Sequence, residues 1–510
     1  MSSAGAGAAT ATKVDHDDIQ GLVRFGYRKL TQACFVLLRV RDAAAARAWL
    51  ARCPVSSARE QTPPPRTALQ VALSCPGLRA LGLAEGIVQG FSREFVAGMS
   101  SDDSRARRLG DLGANHPANW QWGGAPPQVP HVLVMLYALP GELAAWQQQT
   151  LDQCAAGFEL VAVLSTSDMD GVEPFGFVDG ISQPSLDWTR RRPVRDAEVL
   201  DYSNLSSLGE YLLGYPNEYG EYTDRPLLQG ALDPDGLLPR AEEDVAKADL
   251  GRNGSYLVLR QLRQDVAGFW RFVHAAAGGD ATERERLAAA MVGRSRDGES
   301  LVGRQGEAIE GEDDARNRFT YHSDGRGERC PVGAHVRRSN PRNADLPPGG
   351  RGLLSRLMRT LGFDADALAD DHVSSTRFHR LLRRGREYGT GLSVDDALAG
   401  MAPASDADGQ GTGLHFICLG ASIGRQFEFV QGAWIAGTRF AGLRCESDPL
   451  LGHRLPGPDD EPTDCFSMPT DSGCDLRLEG LPQFVTVVGG GYFFLPGIRA
   501  LRYIAKESPP

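Results

Sequence analysis

The order of the apolar segments along the chain is the feature that most constrains its fold. In the first half, β-branched runs that predict strands alternate with runs that predict helices. In chain order these are strand 32–40, helix 42–53, strand 67–75, strand 131–139, helix 141–157 and strand 158–168. A long insertion, 76–130, precedes the third strand. The resulting order, β-α-β-β-α-β, is typical of a small antiparallel sheet covered by two helices.

The second half repeats this order, although no sequence identity between the halves is visible. Its segments are strand 254–262, helix 265–279, strand 379–389, strand 413–422, helix 424–435 and strand 484–497, with a short helix after them at 498–505. The sequence therefore predicts an α+β protein made of two ferredoxin-like domains, each with an antiparallel sheet and helices.

Changes in composition mark the predicted domain boundaries. We predict a disordered tail at 1–18, an N-terminal domain at 19–185, a loop-rich connection at 186–250 and a C-terminal domain at 251–510. Segments rich in Gly, Asp, Arg and Pro predict three insertions in the second domain, at 294–328, 343–372 and 452–475.

Composition also excludes some classes of protein. The net charge of −11 argues against a general nucleic-acid binder. No apolar run approaches the roughly 20 residues of a membrane span, and the first 18 residues lack the basic and apolar regions of a secretory signal. Nine cysteines are scattered without a CxxC pair, which favours a reducing cytoplasm over a disulfide framework.

His335 stands out among the ten histidines because of its setting, CPVGAHVRRSNPR (330–342). Small residues precede it and leave room for a flat ligand, and Arg337, Arg338 and Arg342 follow it and could meet anionic groups. A lone histidine is more often structural than a ligand. No HxH or HExxH motif lies nearby to support zinc. A haem site needs one protein ligand and basic groups for the propionates, which matches this segment. Cys330 is an alternative thiolate ligand, although a buried apolar role suits a cysteine better.

Asp179 lies in FGFVDGISQP (175–184), where two glycines and two phenylalanines surround a single carboxylate. The simple interpretation is an Asp-Gly turn beside core aromatics. The alternative is a carboxylate held in an apolar pocket, where acid–base groups are found.

A basic run, TRFHRLLRRGREYG (376–389), contains five arginines. Side chains alternate between the faces of a strand, so Leu381 and Arg383 are expected on one face and Leu382 and Arg384 on the other. The run is either a solvated strand edge or a strand that directs one arginine towards a ligand.

These segments resemble those of the dye-decolourising peroxidases, and they occur in the same order. GFVDG (176–180) is similar to that family's GxxDG motif, 330–342 to its proximal-histidine segment, and LLRRGREYG (381–389) to its distal-arginine segment. RQFEFVQGAW (425–434) and VVGGGYFFLPG (487–497) are similar as well. The resemblance extends from about residue 19 to residue 505 and is greatest to the larger bacterial subgroup.

The resemblance implies one non-covalent haem b per chain, bound in the C-terminal half. It makes His335 the axial ligand of the haem iron, Asp179 the distal acid–base and Arg383 the distal arginine, with Arg384 the neighbour that could be confused with it. Asp448 is the favoured acidic partner of His335, with Glu446 and Glu428 as rivals. The haem contacts that it implies are Gly176, Phe177, Gly180, Arg337 and Arg342.

The activity implied is that of a haem peroxidase, in which hydrogen peroxide produces a ferryl species that oxidises dyes, phenols or similar reductants. We expect Asp179 to be ionised because Arg383 outweighs the effect of burial. Tyr388, Trp434 and Tyr492 are aromatic residues that could relay electrons, although buried aromatics are usually core. The expected partners are peroxide and an organic reductant, and a homodimer is compatible with the fold. The alternative is a non-catalytic haem carrier or sensor, or an iron-releasing haem protein.

Overall fold

One large antiparallel sheet organises the molecule. The computed structural model describes residues 13–191, 202–304, 309–342, 376–401, 411–457, 460–470 and 475–506. Nine strands form the sheet: β1 (Gln32–Val40), β2 (Thr67–Leu73), β3 (Val132–Ala138), β4 (Phe158–Ser165), β5 (Ser255–Gln264), β6 (Leu382–Arg383), β7 (Arg386–Tyr388), β8 (Gly413–Gly420) and β9 (Val485–Leu495).

The first half forms the predicted ferredoxin-like unit, with strands in the order β4-β1-β3-β2. The centre of β1 is paired on both sides, since Phe35 lies opposite Met135 of β3 and Leu164 of β4. Helices Ala43–Leu50 and Leu143–Cys154 follow β1 and β3. The first of these helices begins where the Asp42 side chain accepts a hydrogen bond from Ala45 N (2.8 Å), as expected for an N-cap aspartate.

The second half has the same topology, in the order β9-β5-β8 with β6 and β7 both paired to β8. Helix Val266–Ala276 follows β5. The predicted strand 379–389 is interrupted between β6 and β7, at a glycine, Gly385, that lies against the His415 carbonyl of β8. The predicted helix 424–435 consists of two π-helical segments, Gly424–Glu428 and Val430–Ile435, a form that occurs often at functional sites.

The two halves share one continuous sheet, because Phe494 of β9 pairs with Leu73 of β2. The opposite edges also approach each other. Just after β4, Ser167 N donates to the carbonyl of Glu387 in β7 (2.8 Å), and His415 Nε2 of β8 donates to the Ser165 carbonyl (2.9 Å). The sheet therefore curls back on itself, and one buried apolar cluster combines side chains of both halves.

Shorter elements complete the chain. Four helices lie in the predicted insertion 76–130 or at its start: Cys75–Ala80, Glu85–Val88, Arg93–Ala97 and Asp103–Leu109. The other α-helices are Leu22–Phe25, Ala281–Val292, His335–Ser339, Val394–Leu398 and Ile498–Ile504. Three two-stranded pairs are Ser185–Leu186 with Leu205–Ser206, Leu227–Gln229 with Lys247–Asp249, and Phe466–Met468 with Leu476–Leu478.

The α+β class and the ferredoxin-like topology are confirmed, and the domain boundaries stay predictions. The tail predicted at 1–18 is too long: residues 1–12 lie outside the described residues, but Val14 is buried and Asp18 accepts a hydrogen bond from Asn253 Nδ2 (2.7 Å). The insertion 343–372 also lies outside the described residues. Within the described ranges, no helix is both long and apolar enough to cross a membrane.

Candidate active site

A largely apolar cavity lies against the second-half sheet. The sheet contributes Leu262 of β5, Leu414 and Phe416 of β8, and Val485 and Val487 of β9. The other walls come from the loop after β4, the helix His335–Ser339, the π-helical segment and the chain around 450–453. Strand alternation sends these five sheet residues to the same face. His335, Asp179 and Arg383, predicted from three distant parts of the sequence, all line this one cavity.

His335 is held by Asp448 at the start of its helix. His335 Nδ1 lies 2.9 Å from Asp448 Oδ2, and the other carboxylate oxygen accepts the backbone N–H groups of Leu450 (2.9 Å) and Leu451 (2.8 Å). Burial opposes ionisation of both groups. Their mutual attraction nevertheless raises the pKa of His335 and lowers the pKa of Asp448, relative to their usual values. Of the three candidate acidic partners, Asp448 is thus the one that contacts His335.

The rival acids have other contacts. Glu446 Oε2 accepts a hydrogen bond from Ser467 N (3.0 Å), and Glu428 pairs with Arg105 (3.0 Å). Because Asp448 engages Nδ1 of His335, the nitrogen left to face the cavity is Nε2, for which the described residues supply no hydrogen-bond partner. The His335 side chain keeps 26% of its surface exposed.

Asp179 and Arg383 form a second ion pair, which is open to the cavity. Arg383 Nη1 donates to Asp179 Oδ1 (2.9 Å), and both side chains remain about one-third exposed, 31% for Arg383 and 37% for Asp179. Burial favours the neutral acid, but the Arg383 guanidinium, the Gly180 N–H and the Arg28 charge hold the pKa of Asp179 below its usual value. This direction agrees with the prediction that the arginine outweighs burial and keeps Asp179 ionised.

Arg383, rather than Arg384, points into the cavity. Arg384 Nε donates to the Leu22 carbonyl (2.8 Å) and its Nη2 to the Val23 carbonyl (2.8 Å), on the other side of the strand. Leu381 lines the cavity together with Arg383. The predicted alternation of side chains along this segment is confirmed.

The two glycines that flank Asp179 have left-handed backbone conformations. Gly176 has φ +96° and Gly180 has φ +75°, values that a residue with a Cβ rarely adopts. The Gly180 carbonyl accepts a hydrogen bond from Arg28 Nη2 (2.9 Å), and a Cβ on Gly180 would collide with that group. Phe177 lines the cavity and stacks on Trp270 with the ring planes 2° apart. The glycines shape the loop, and Phe177 is the one of these three residues that faces the cavity.

Arg337 and Arg342, which were predicted to contact the haem, do not line the cavity. Arg337 Nη1 donates to Asp324 Oδ2 (3.0 Å) and to the Cys330 carbonyl (2.6 Å). Arg342 lies over the Phe319 ring at 3.8 Å, and its Nη1 donates to the Phe319 carbonyl (3.0 Å). Arg337 lies two positions after His335 in the helix, so its side chain points to a different side, and Arg342 lies beyond the end of this helix at Ser339. Their role in the described residues is to hold the surrounding loops.

Cys330 is buried, as expected for an apolar role. Its side chain packs with Val302, Phe319, Tyr321 and Ala334, and it does not line the cavity. Burial raises the pKa of the Cys330 thiol to about 12, which keeps it protonated. No cluster of three metal-ligating side chains is found in the part of the chain that the structure describes.

The sequence analysis missed several polar residues that line the cavity. Glu173 accepts a hydrogen bond from Gln264 Nε2 (2.8 Å), and burial raises the pKa of Glu173 to about 7. Arg380 lines the cavity with a buried Nε that has no hydrogen-bond partner. Glu173 lies only six residues before Asp179, and Arg380 belongs to the basic run, but neither position was distinguishable from its neighbours by pattern alone.

The cavity fits a haem group in three respects. Most of its sheet-side wall is apolar, as the faces of a porphyrin require, and the polar sheet residues in the lining are Arg260, Gln264 and Arg383. One imidazole nitrogen, Nε2 of His335, faces it without a partner among the described residues. The unpaired Nε of Arg380 supplies a cation for a carboxylate, which is how propionates are commonly held.

Comparison with known proteins gives relatives along almost the whole chain. No family model matches the sequence. The multifunctional dye peroxidase DyP2 of Amycolatopsis sp. is 28% identical over 443 residues, which cover 84% of this chain and 81% of the relative. Peroxidase 2 of Mycetinis scorodonius is 27% identical over 97% of this chain and 88% of its own. The dye-decolorizing peroxidase AauDyP1 of Auricularia auricula-judae is 26% identical over the same two shares.

Solved structures support the same fold. A fungal DyP-type peroxidase from Auricularia auricula-judae superposes with a TM-score of 0.70 at 24% identity, covering 97% of this chain and 100% of the other. A dye-decolorizing peroxidase in complex with cyanide gives a TM-score of 0.69 with the same coverage. The relatives include fungal as well as bacterial proteins.

Proposed function

This chain belongs to the dye-decolourising peroxidase family, and we propose that it oxidises dyes and phenols with peroxide and that His335, Asp179 and Arg383 carry this chemistry. In this proposal His335 Nε2 binds the iron of a haem b, and Asp448 fixes the orientation of the imidazole through Nδ1. A carboxylate on the second nitrogen also makes the imidazole a stronger donor. Haem bound there would supply the redox centre at which peroxide is reduced.

We propose Arg380 as a partner of a haem propionate, in place of Arg337 and Arg342. The support is its unpaired, buried Nε in the cavity wall. The guanidinium of Arg380 and a propionate carboxylate would form a charge-assisted hydrogen bond. Replacing Arg380 by Met should therefore weaken haem affinity, and replacing Arg342 by Met should not. Equal haem dissociation rates in the two variants would contradict this assignment.

Asp179 is the proposed acid–base group. Hydrogen peroxide must lose a proton from one oxygen and regain it on the other, which then leaves as water. An ionised carboxylate at the cavity wall can accept that proton and return it. The lowered pKa of Asp179 supports this role because the carboxylate stays ionised in acid.

Arg383 has two proposed roles. Its Nη1 holds Asp179 in position (2.9 Å), and its positive charge faces the cavity in which negative charge develops on the peroxide oxygens. A fixed cation in a cavity largely closed to water stabilises such charge more strongly than water does.

The observation that carries the proposal is the open, ionised Asp179–Arg383 pair in the same cavity as the free nitrogen of His335. The test is the absorption spectrum of the haem-loaded protein before and after one equivalent of peroxide. A histidine-type ferric spectrum that changes within the mixing time supports a peroxidase. A spectrum that peroxide only bleaches slowly would identify a haem carrier or sensor and remove the catalytic roles. Release of free iron from added haem would identify the iron-releasing alternative.

Three finer features belong to the proposal. One non-covalent haem b per chain is expected because the sequence has no CxxCH attachment motif, and extraction of the haem into acidified butanone tests this. A homodimer is testable by sedimentation. The cytoplasmic location is supported by the eight described cysteines, all of them free and seven of them buried, and cell fractionation tests it.

A further inference from the structure

Two cysteines meet beside the segment that carries Asp448. Cys465 Sγ donates a hydrogen bond to the Cys445 carbonyl (2.8 Å). At the next position along each segment, Glu446 and Asp464 form an antiparallel bridge. Residues directly opposite each other in antiparallel pairing have Cα atoms about 4.5–5.5 Å apart, and a disulfide spans Cα atoms about 4.4–6.8 Å apart. The two cysteines that flank this bridge are therefore within reach of each other.

Cys445 is the accessible member of the pair. It is the one cysteine among the described residues that is not buried, whereas Cys465 is 1% exposed. Cys445 also has a backbone φ of +57°, a conformation that residues with a Cβ rarely adopt. Backbone outliers of this kind occur often at functional sites. A small oxidant can thus reach the sulfur of Cys445, and the sulfur of Cys465 lies behind it.

Arg477 places a positive charge beside both thiols. Its Nη2 donates to Cys465 Sγ (2.9 Å) from the strand Leu476–Leu478. Both cysteines raise the pKa of Arg477, and Cys465 is the larger cause. Burial raises the pKa of the Cys465 thiol, and the Arg477 guanidinium opposes that effect. A cation at sulfur favours the thiolate, which is the nucleophilic form of a cysteine.

We propose that Cys445 and Cys465 are a thiol pair that hydrogen peroxide oxidises to a disulfide. The Cys445 sulfur attacks one peroxide oxygen, so that an S–O bond forms, the O–O bond breaks, and a sulfenic acid and one water result. The Cys465 sulfur then attacks the Cys445 sulfur, so that the S–S bond forms, the S–O bond breaks, and the oxygen leaves as a second water with the Cys465 proton. Two thiols and one peroxide give one disulfide and two waters.

The disulfide would close the loop 446–464, which orients the proposed haem ligand. This loop carries Asp448, the partner of His335. At its start, the Glu446 carbonyl accepts a hydrogen bond from Arg338 Nη2 (2.5 Å), on the helix that begins with His335. The cavity-lining residues of the loop are Leu450, Leu451 and His453. A covalent link restricts how far the ends of a loop separate, so a haem in the cavity should leave more slowly when the disulfide is present.

The oxidant is the peroxide of the proposed function, but no cofactor takes part in the step. In a reducing compartment disulfides are usually transient and sense the redox state. The pair should therefore be reduced at rest and oxidised when peroxide is in excess, which is when retention of the haem matters most.

Cys53 provides a matched control. It is 2% exposed, its thiol donates to the Leu50 carbonyl (3.4 Å), and Arg502 Nη1 lies 3.8 Å from its sulfur. Burial raises the pKa of the Cys53 thiol and Arg502 opposes this, as Arg477 does at Cys465. The described strands place no cysteine opposite Cys53. Cys53→Ser thus removes a thiol with a similar carbonyl and arginine but without a partner sulfur.

The experiment treats the reduced, haem-free full-length chain with hydrogen peroxide, blocks the remaining thiols under denaturing conditions and maps the peptides by mass spectrometry. We expect the parent and Cys53→Ser to lose two thiols each and to give a linked Cys445–Cys465 peptide, two hydrogen atoms lighter than its parts. Cys445→Ser should give no such peptide. Because Cys445 is partly exposed, this variant tests the pair without altering the buried sulfur.

A second readout measures the effect on the loop. The oxidised and reduced parent are each loaded with haem, and transfer of the haem to apomyoglobin is timed. Transfer should be slower from the oxidised parent and should return to the reduced rate after dithiothreitol. Oxidation should not change the rate in Cys445→Ser. Equal rates in the oxidised and reduced parent would overturn the proposed effect on the loop.

The remaining outcomes separate this inference from the proposed function. A parent that keeps all nine thiols, or that stops at a sulfinic acid on Cys445, overturns the pair. So does a disulfide from either cysteine to Cys474, which lies outside the described residues. Because the peptide map uses the haem-free chain, a failure of the haem-loaded protein to react with peroxide would overturn the proposed function alone.

Discussion

Two carboxylates of the candidate site, Asp448 and Asp179, have the same contact distance to a basic partner but very different surroundings. Asp448 lies 2.9 Å from His335 and Asp179 lies 2.9 Å from Arg383. The side chain of Asp448 is 0% exposed and that of Asp179 is 37% exposed. Asp448 accepts two backbone N–H groups besides the histidine, so its lone pairs are largely used. Asp179 keeps an open side towards the cavity. The comparison indicates that the Asp448–His335 pair holds the imidazole in position and that the Asp179–Arg383 pair is available to exchange protons.

Removing the charge of Asp179 should have the largest effect. In Asp179→Asn, the rate constant for reaction with peroxide should fall by about 10²–10⁴, the usual contribution of a positioned acid–base group. The amide keeps the size of the side chain and leaves the Asp448 pair intact, so haem content should not change. Stopped-flow absorption with excess peroxide measures the rate. A rate equal to that of the parent would remove the proton-transfer role.

Removing the buried carboxylate should instead affect stability. Asp448→Ala removes a fully buried carboxylate from its pair with His335 and leaves two backbone N–H groups without their acceptor, which should cost about 3 kcal/mol in the free energy of unfolding. Asp179→Ala should cost less than about 1 kcal/mol, as expected for a partly exposed pair. Urea unfolding of the haem-free variants measures both values. If the two variants lost similar free energies of unfolding, the difference in burial would not make the Asp448 pair more important for stability than the Asp179 pair.

Neutralising Arg383 should change the pH dependence of the open pair. The parent should react with peroxide down to pH values below the usual pKa of an aspartate and lose activity only as pH falls through the lowered pKa of Asp179. In Arg383→Met, burial is no longer opposed by the guanidinium, so the pKa of Asp179 should rise and the loss should begin at higher pH. Arg384→Met is the control, because its guanidinium contacts backbone carbonyls outside the cavity. Parallel profiles in the two variants would contradict the role of Arg383.

The smallest effect is expected at Cys330. Its thiol is buried outside the cavity, so Cys330→Ala should leave the absorption spectrum of the haem-loaded protein unchanged. His335→Ala should alter that spectrum. If the absorption spectrum of Cys330→Ala changed as expected for the loss of a thiolate ligand, Cys330 rather than His335 would be the haem ligand.

Much of the fold was predictable because the strands have strong local signals. The β-branched runs at 32–40, 67–75, 131–139 and 158–168 match β1 to β4 to within three residues at each end. The division of 379–389 into β6 and β7 was not predictable, since it depends on how closely Gly385 approaches β8. The curling of the sheet was not predictable either. It depends on hydrogen bonds between the loop after β4 and strands β7 and β8, whose residues lie more than 200 positions away in the sequence.

The site was predictable as a set of residue types but not as a set of contacts. Alternation along a strand places Arg383 and Arg384 on opposite faces, but the choice of Arg383 as the residue that faces the ligand came from the family resemblance. The pairing of His335 with Asp448 spans 113 positions, and the sequence favoured Asp448 over Glu446 and Glu428 only through the family resemblance. The sequence could not show that Arg337 and Arg342, predicted as haem contacts, do not line the cavity, because a basic residue near a histidine gives no information about the direction of its side chain.

The curled sheet has a consequence for how the protein can be divided. The loop that carries Asp179 leaves β4 at one edge of the sheet, and it meets Arg383 only because the opposite edge has come round beside it. Chain cleavage in the long connection at 186–250 would therefore separate Asp179 from Arg383 without removing either. Two such fragments should regain peroxidase activity only on reassembly.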